Sequence, residues 1–158
     1  MIKILLFLLV VLVLIQFIRP SENHSAKLSA NDITLHYTVP DSVLSMLKRS
    51  CYDCHSNNTR YPWYNRIQPV AWWLNSHVRD GKKELNFSEF ASYPISRQAK
   101  KLKNTVNQIK KDEMPLHSYL WIHHDAKLEQ GQKDALIQWA NGLQQTILKA
   151  GPSITEKK

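Results

Sequence analysis

Cysteine is scarce in this chain of 158 residues. Only two cysteines occur, Cys51 and Cys54, and they lie three positions apart. A bridge between them would close a very small ring, and the stabilisation from a disulfide grows with the length of the loop that it closes. The sequence therefore excludes a secreted scaffold that is held together by disulfides.

Acidic residues are few relative to basic ones. Asp and Glu total 13 against 21 Lys and Arg, and much of the basic excess falls between Lys82 and Lys111. This balance favours an acidic partner protein or an anionic lipid surface, although a solvated helix face is the simpler interpretation of a Lys-rich stretch. No nucleic-acid-binding motif is present, so we expect no nucleic-acid partner.

Strand patterns are nearly absent, and no internal repeat is found. One brief alternation at residues 33–37 predicts a short extended segment. Four helices are predicted from apolar periodicity and from their start and stop signals. They run from Asp41 through the two cysteines, from Pro69 to a closing Gly81, from Ser96 to Lys111 and from Gln130 to Lys149. The pattern predicts a small all-α domain.

The N-terminal segment is apolar from Ile2 to Ile18, apart from Lys3 and Gln16. A membrane-spanning helix needs about 20 apolar residues, and the core of a signal peptide needs about 7–15. No small-x-small cleavage site follows directly, so the favoured interpretation is a signal anchor, a transmembrane helix over residues 1–19. A cleaved signal peptide is the alternative. A linker over 20–38, a domain over 39–150 and a polar tail over 151–158 complete the predicted organisation.

Residues 51–55 read Cys-Tyr-Asp-Cys-His, the C-x-x-C-H signature of covalent haem attachment. Residues three and four apart share a helix face, so Cys51 and Cys54 are placed to bond the two haem vinyl groups while His55 binds the iron. We therefore predict one covalent haem c with His55 as the proximal ligand. A zinc site would need a second pair of ligands, and a thioredoxin-like dithiol would follow a strand; the sequence favours neither.

Met114 is the predicted distal iron ligand. Pro115 disfavours helical conformation at Met114 and so frees its thioether for a pocket, although methionine is also a common filler of cores. His77 is the alternative ligand, since it lies on the apolar face of the second predicted helix. A histidine there is more often a hydrogen-bonded core residue. Three further histidines remain as lesser alternatives: His117, His123 and His124.

The segment between the motif and the third helix is rich in Trp and Tyr, which we expect to pack in the core and at the haem edge. Arg60 and Arg66 flank this aromatic loop. Either guanidinium would suit a haem propionate, and an ordinary surface role is the alternative for each.

These motifs together resemble a family of small bacterial haem-binding domains that contain C-x-x-C-H and are related to class I c-type cytochromes. The likeness covers roughly Val39 to Leu143. It is carried by residues 51–57, Tyr61-Pro62-Trp63-Tyr64, Pro69 to Trp73, His77, Asn86-Phe87-Ser88, Met114-Pro115-Leu116 and Tyr119. The resemblance implies a cytochrome c-like helical domain around one haem, with His55 proximal and Met114 as candidate distal ligand. It implies no particular reaction.

The predicted function is single-electron transfer by a membrane-anchored periplasmic monohaem cytochrome. An iron bound by His and Met has no open position for substrate, and Met ligation raises the reduction potential. Because bacteria attach haem to C-x-x-C-H outside the cytoplasmic (inner) membrane, we expect a single-pass protein with its domain on the periplasmic side. The expected partners are the membrane and a redox protein, for which an acidic surface would suit this basic chain.

The alternatives are a peroxidase-like enzyme or a gas or redox sensor with a displaceable distal ligand, and a haem-bearing subunit of a larger complex. An electron carrier is favoured over an enzyme, and no catalytic residue is assigned.

Overall fold

The computed structural model describes residues 1–150, and every regular element in that range is helical. The α-helices are α1 (Ile2–Ile15), α2 (Ile33–His36), α3 (Asp41–Ser50), α4 (Tyr52–His55), α5 (Val70–Glu84), α6 (Ile95–Lys110), α7 (His117–Leu120) and α8 (Gln130–Ala150). Short 3₁₀ helices cover Trp63–Arg66, Phe87–Ser92 and His124–Ala126. The helical part of the prediction agrees with this architecture, and the predicted polar tail lies outside the described residues.

Helix α1 corrects the prediction of an N-terminal transmembrane helix. It contains 14 residues, which span about 21 Å at 1.5 Å per residue, whereas the hydrocarbon core of a bilayer is about 30 Å thick. Within residues 1–150, no helix is both long enough and apolar enough to cross a membrane. The predicted transmembrane helix over residues 1–19 is therefore wrong, because the helix ends at Ile15 although the apolar run continues to Ile18.

Hydrogen bonds to the start of α5 hold the residues that follow α1. The Gln16 side chain accepts from the backbone N–H of Gln68 at 2.9 Å and donates to its carbonyl at 3.2 Å. The carbonyl of Ile18 accepts from Gln68 Nε2 and from Trp72 Nε1, both at 2.9 Å. The chain therefore leaves the helix after Ile15 in a defined path along the domain.

Helices α6 and α8 pack along each other and form the apolar core with α3. Each contributes side chains at helical spacing, so one face of each helix is buried. The buried apolar residues of α6 and α8 are Ala99, Leu102, Val106, Ile109, Leu136, Ala140, Leu143 and Ile147. This α6–α8 core, as those residues are called below, reaches the space next to the C-x-x-C-H turn through Ile109.

The alternation at residues 33–37 does not form an extended segment. Asp32 accepts a hydrogen bond from the backbone N–H of Thr34 at 3.0 Å and from its hydroxyl at 2.7 Å, which starts the short helix α2. Ile33, completely buried, then packs into the core. A side-chain cap thus outweighed the two-residue periodicity.

Candidate functional site

A break in the first predicted helix sets the C-x-x-C-H motif apart. At Cys51 the backbone has φ −129° and ψ −39°, so α3 ends at Ser50 and α4 forms a separate turn. The N–H of His55 donates to the carbonyl of Cys51 at 2.9 Å, which keeps the motif in one helical turn. Both cysteines are free thiols. The turn therefore brings Cys51, Cys54 and His55 together, as predicted, on an element of their own.

The imidazole of His55 is oriented by the backbone at the end of α5. Its Nδ1 donates to the carbonyl of Leu85 at 2.9 Å, which leaves Nε2 as the nitrogen with a free lone pair. Burial lowers the pKa of His55, and the backbone groups of Leu85 and Gly81 oppose this effect without cancelling it. A neutral imidazole whose second nitrogen is fixed by a carbonyl is the usual state of a metal-binding histidine.

The two thiols differ from those of a redox-active dithiol. Burial, with a smaller effect of Cys54, raises the pKa of Cys51 to about 12. Burial, followed by the neighbouring charge of Asp53, raises the pKa of Cys54 to about 11. Reactive C-x-x-C dithiols have a lowered pKa instead. The environment of these thiols is therefore unlike that of a thioredoxin.

A hydrogen-bonded network fixes the backbone that receives His55. Asn86, next to Leu85, donates from its side chain to Asn57 Oδ1 at 2.8 Å and from its backbone N–H to the Tyr93 hydroxyl at 3.0 Å. Asn57 in turn donates to Glu89 at 2.8 Å. The residues just after the motif thus hold the carbonyl that orients its histidine.

Gly81 lies inside α5 rather than at its end. The helix continues to Glu84, so the prediction that Gly81 closes it is wrong. A Cβ atom at this position would come within 2.7 Å of the Cys54 carbonyl oxygen and 3.0 Å of Cys54 Cβ. Glycine is required because α5 and α4 approach each other too closely for any side chain.

Asp53, between the two cysteines, is buried and accepts several hydrogen bonds. Its Oδ1 accepts from Arg60 through the backbone N–H at 3.1 Å and through Nε at 3.2 Å. Its Oδ2 accepts from the Tyr119 hydroxyl at 2.7 Å. Burial and this hydrogen bond raise the pKa of Tyr119, so its phenol stays protonated. Of the two arginines considered for a haem propionate, Arg60 is thus paired with the carboxylate of Asp53. Arg66 is exposed.

Two adjoining cavities flank the motif. The larger, of about 340 Å³, and the smaller, of about 240 Å³, are both lined by Cys51, His55 and Met114. Together they fall within the range of about 300–1,000 Å³ that is common for small-molecule sites. The hydroxyl of Ser50, which lines both cavities, is buried and has no hydrogen-bond partner among the described residues. A polar edge of an occupant would satisfy it.

The structure places both predicted distal ligands at these cavities. Met114 lines both of the cavities that His55 lines, whereas His77 lines only the smaller of these two cavities. The Nδ1 of His77 donates to the carbonyl of Trp73 at 2.8 Å, and its ring lies 4.3 Å from the Trp73 ring. Met114 therefore shares more of the space beside His55.

The lesser histidine alternatives lie elsewhere. His117 and His124 are exposed. The Nε2 of His123 lies 3.0 Å from the Tyr64 hydroxyl, and its ring stacks on Tyr119 at 4.3 Å. His123 also lines a third, largely apolar cavity of about 310 Å³ that reaches Cys54.

The donor set beside His55 suits a metal that brings most of its own ligands. Among residues 1–150 there is no group of three or more His, Cys, Asp or Glu arranged to hold an ion. Haem brings the four nitrogens of its ring, so one imidazole and one thioether would complete its iron. The free thiols, the fixed imidazole and the adjoining cavities all fit haem.

Sequence reasoning missed two residues of the site. Asn23, in the predicted linker, donates to the Ser56 carbonyl and to Thr59 Oγ1, both at 2.9 Å. Lys101 lies in the stretch that reads as a solvated face, yet its side chain is only 14% exposed and lines the larger cavity. It pairs with Glu84 at 3.3 Å. The α6 residues that line the same cavity, Asn104, Thr105 and Gln108, follow Lys101 at helical spacings of three, four and seven, and this spacing was the available signal.

Comparison with known protein families supports the same cofactor. The model of the family described as a haem-binding domain matches residues 10–142, which is more than half of the chain. The match begins within α1 and so includes the segment that contains Asn23. Searches among curated proteins and among solved structures each found no significant match. The chain belongs to the haem-binding domain family and is a haem-binding protein.

Proposed function

We propose that this protein is a c-type cytochrome that carries single electrons with one covalently attached haem. The observation that carries the proposal is the hydrogen bond from His55 Nδ1 to the Leu85 carbonyl, which leaves Nε2 available beside two free thiols. Met114 lines the same two cavities as His55. The chain thus offers two attachment points and two axial ligands around one space.

Attachment would use the thiols of Cys51 and Cys54. Each S–H would add across one vinyl group, with the sulfur bonded to one carbon and the hydrogen to the other, so that no net oxidant or reductant would be needed. Both cysteines are partly buried, so the access of water to the resulting thioethers would be limited. Two bonds on one helical turn would hold the cofactor even when an axial ligand dissociates.

The axial residues define the activity. Bound haem supplies an iron that takes up and releases one electron. His55, kept neutral by burial and oriented by Leu85, is the proximal ligand of the proposal. Met114 is the distal one, because it shares both cavities with His55; a thioether in this position raises the reduction potential and leaves no open position for a substrate.

The proposal also concerns location and partner. Since bacteria attach haem to C-x-x-C-H outside the cytoplasmic membrane, we place the domain on that side. The side chains of α1 are apolar and exposed around the helix, which favours burial against lipid or protein without crossing the bilayer. The basic chain suits an acidic redox partner. Protease treatment of intact spheroplasts should digest the domain; protection until lysis would contradict the location.

Covalent attachment is tested by mass spectrometry of protein made with a haem-ligation system. One haem should remain bound under denaturing conditions, one thioether at most should remain in Cys51→Ala or Cys54→Ala, and none in the double variant. Extraction of the haem from the unmodified protein by acidic acetone would refute covalent attachment while leaving haem binding itself intact.

The distal ligand is tested by optical spectroscopy. The ferric protein should show the weak long-wavelength thioether-to-iron absorption, and the ferrous protein should bind carbon monoxide slowly or not at all. Met114→Ala should abolish the band and admit carbon monoxide, whereas His77→Ala should change neither. The reverse pattern would establish His77 as the ligand. Rapid carbon monoxide binding by the unmodified protein would favour a peroxidase-like enzyme or a sensor over a carrier.

A further inference from the structure

We propose that Asp53 and Tyr119 are positioning residues that hold the Met114 segment against the C-x-x-C-H turn. This inference rests on the proposed function, since it assumes that Met114 binds the iron. It concerns neither the cysteines nor the axial residues themselves. It assigns a role to the residue between the cysteines, a position that the attachment chemistry does not require to be acidic.

Asp53 is placed to link the two sides of the site. It belongs to α4, the same turn as Cys54 and His55, and is only 7% exposed. Its Oδ2 accepts from the Tyr119 hydroxyl at 2.7 Å, and its Oδ1 accepts from Arg60. A hydrogen bond to a charged group is among the stronger ones in a protein. The contact therefore fastens α7 directly to the haem-attachment turn.

Tyr119 lies five residues after Met114, on the helix that follows it. Helix α6 ends at Lys110 and α7 begins at His117, so Met114 lies in a short non-helical segment between them. On the N-terminal side, the backbone N–H of Glu113 donates to the Gln108 carbonyl at 3.0 Å. That contact joins the N-terminal side of the Met114 segment to α6, and the ion pair between Asp112 and Lys133 joins the same side to α8. On the C-terminal side, the hydrogen bond from Tyr119 to Asp53 joins the segment to α4.

A second contact fixes the phenol of Tyr119. The ring of His123 stacks on it at 4.3 Å with an interplanar angle of 14°, and the Nε2 of His123 lies 3.0 Å from the Tyr64 hydroxyl. Tyr119 is thereby held by a stacked ring on one face and by Asp53 at its hydroxyl. These two contacts fix the position of Tyr119 and with it the C-terminal side of the segment that contains Met114.

The consequence concerns how tightly the distal thioether is held. Methionine has a flexible, unbranched side chain, so its position depends on the backbone on either side. When the bond between Tyr119 and Asp53 is present, the segment around Met114 has little freedom, and the thioether is pre-organised beside the space that His55 faces. When the bond is removed, the segment gains freedom, and an external ligand competes better for the iron.

The test is the equilibrium constant for imidazole binding to the ferric holoprotein. Tyr119→Phe should raise the affinity for imidazole about tenfold, because a hydrogen bond to a charged group changes an equilibrium by that factor or more. The thioether-to-iron absorption should weaken in parallel. Asp53→Asn, which keeps a weaker acceptor, should have a smaller effect in the same direction. The double variant should equal Tyr119→Phe within about twofold, since Tyr119→Phe already removes the bond that Asp53→Asn weakens.

Tyr37→Phe is the matched control. The Tyr37 hydroxyl donates to Gln98 at 2.5 Å, away from both cavities, so this variant removes a comparable hydrogen bond and should leave imidazole binding unchanged. An equal rise in both Tyr variants would mean general destabilisation and would overturn the inference. So would a Tyr119→Phe protein that matches the unmodified one; if that variant does not fold, the same criterion applies to Asp53→Asn. Absence of the thioether absorption from the unmodified protein would instead defeat the proposed function.

Discussion

The two halves of this domain are held together by different forces. The α6–α8 core consists of apolar side chains on long helices whose periodicity is plain in the sequence. Residues 51–66, called the attachment loop below, contain short helical turns and depend on side-chain hydrogen bonds through Asn23, Asp53 and Asn57. The core supplies a wall of the site, and the attachment loop supplies its chemistry.

The two regions draw on different sources of stability and specificity. Apolar burial is non-directional and tolerates exchange of similar side chains. Hydrogen bonds require a particular partner at a particular distance, and a buried group left without one is costly. We therefore expect changes in the core to lower the free energy of unfolding without altering the site. Changes in the attachment loop should alter the site even where their cost to stability is smaller.

The largest loss of stability is expected from Leu136→Ala in the α6–α8 core. Leu136 is 1% exposed, and truncation of a buried leucine costs about 2–5 kcal/mol. Chemical denaturation of the holoprotein should show this loss, while the visible spectrum of the folded protein should match that of the unmodified protein. A changed axial spectrum would show that the core and the site are not separable.

Gly81→Ala should have the next largest effect and should act on the site. The new Cβ would lie 2.7 Å from the Cys54 carbonyl, and relief of such crowding costs about 1–3 kcal/mol. The yield of covalently attached haem should fall together with the free energy of unfolding. Gly142→Ala is the control: a Cβ there meets nothing within 4 Å, and it should stabilise the helix by about 0.5–1 kcal/mol. Equal behaviour of the two variants would contradict the close approach.

Asn23→Ala should destabilise the attachment loop by about 1–2 kcal/mol, since it removes side-chain bonds to Ser56 and Thr59. Faster hydrogen exchange should be confined to residues near the loop. Asn107→Ala, at an exposed position of α6, should leave both stability and exchange almost unchanged. An exchange pattern spread evenly over the domain would argue against a distinct polar half.

The smallest expected effect is a pH dependence at Glu89. Burial acts to raise its pKa, but hydrogen bonds from Asn31, Ser29 and Asn57 outweigh burial, and the net pKa is lowered. A carboxyl whose pKa is lower in the folded state stabilises the fold above its unfolded pKa. This stabilisation is lost as the pH falls through the folded pKa.

Denaturation at a series of pH values should show that Glu89→Gln costs about 1 kcal/mol or less near neutral pH. The difference from the unmodified protein should shrink on acidification. A difference that grows at low pH would contradict the assigned direction.

Part of this molecule could be predicted because local patterns reflect local forces. The helices α3, α5, α6 and α8 were expected within a few residues of their bounds, since an amphipathic face repeats along the chain. The grouping of Cys51, Cys54 and His55 followed from their spacing on one turn. Long-range contacts left weaker signals. Gly81 was interpreted as a helix end because nothing in its neighbourhood in the sequence shows that a Cβ atom there would come within 2.7 Å of the Cys54 carbonyl oxygen in α4.

The N-terminal run shows the limit most clearly. Its composition predicted a membrane-spanning helix, but composition does not determine where a helix stops, and Gln16 is bonded to Gln68, 52 residues away in the chain. In the same way, the helical class, the C-x-x-C-H motif and the candidate axial ligands could be recognised in the sequence alone. The hydrogen bonds that join Asn23 to Ser56 and Asp53 to Tyr119 could not, because these partners are distant in sequence and are brought near by folding alone.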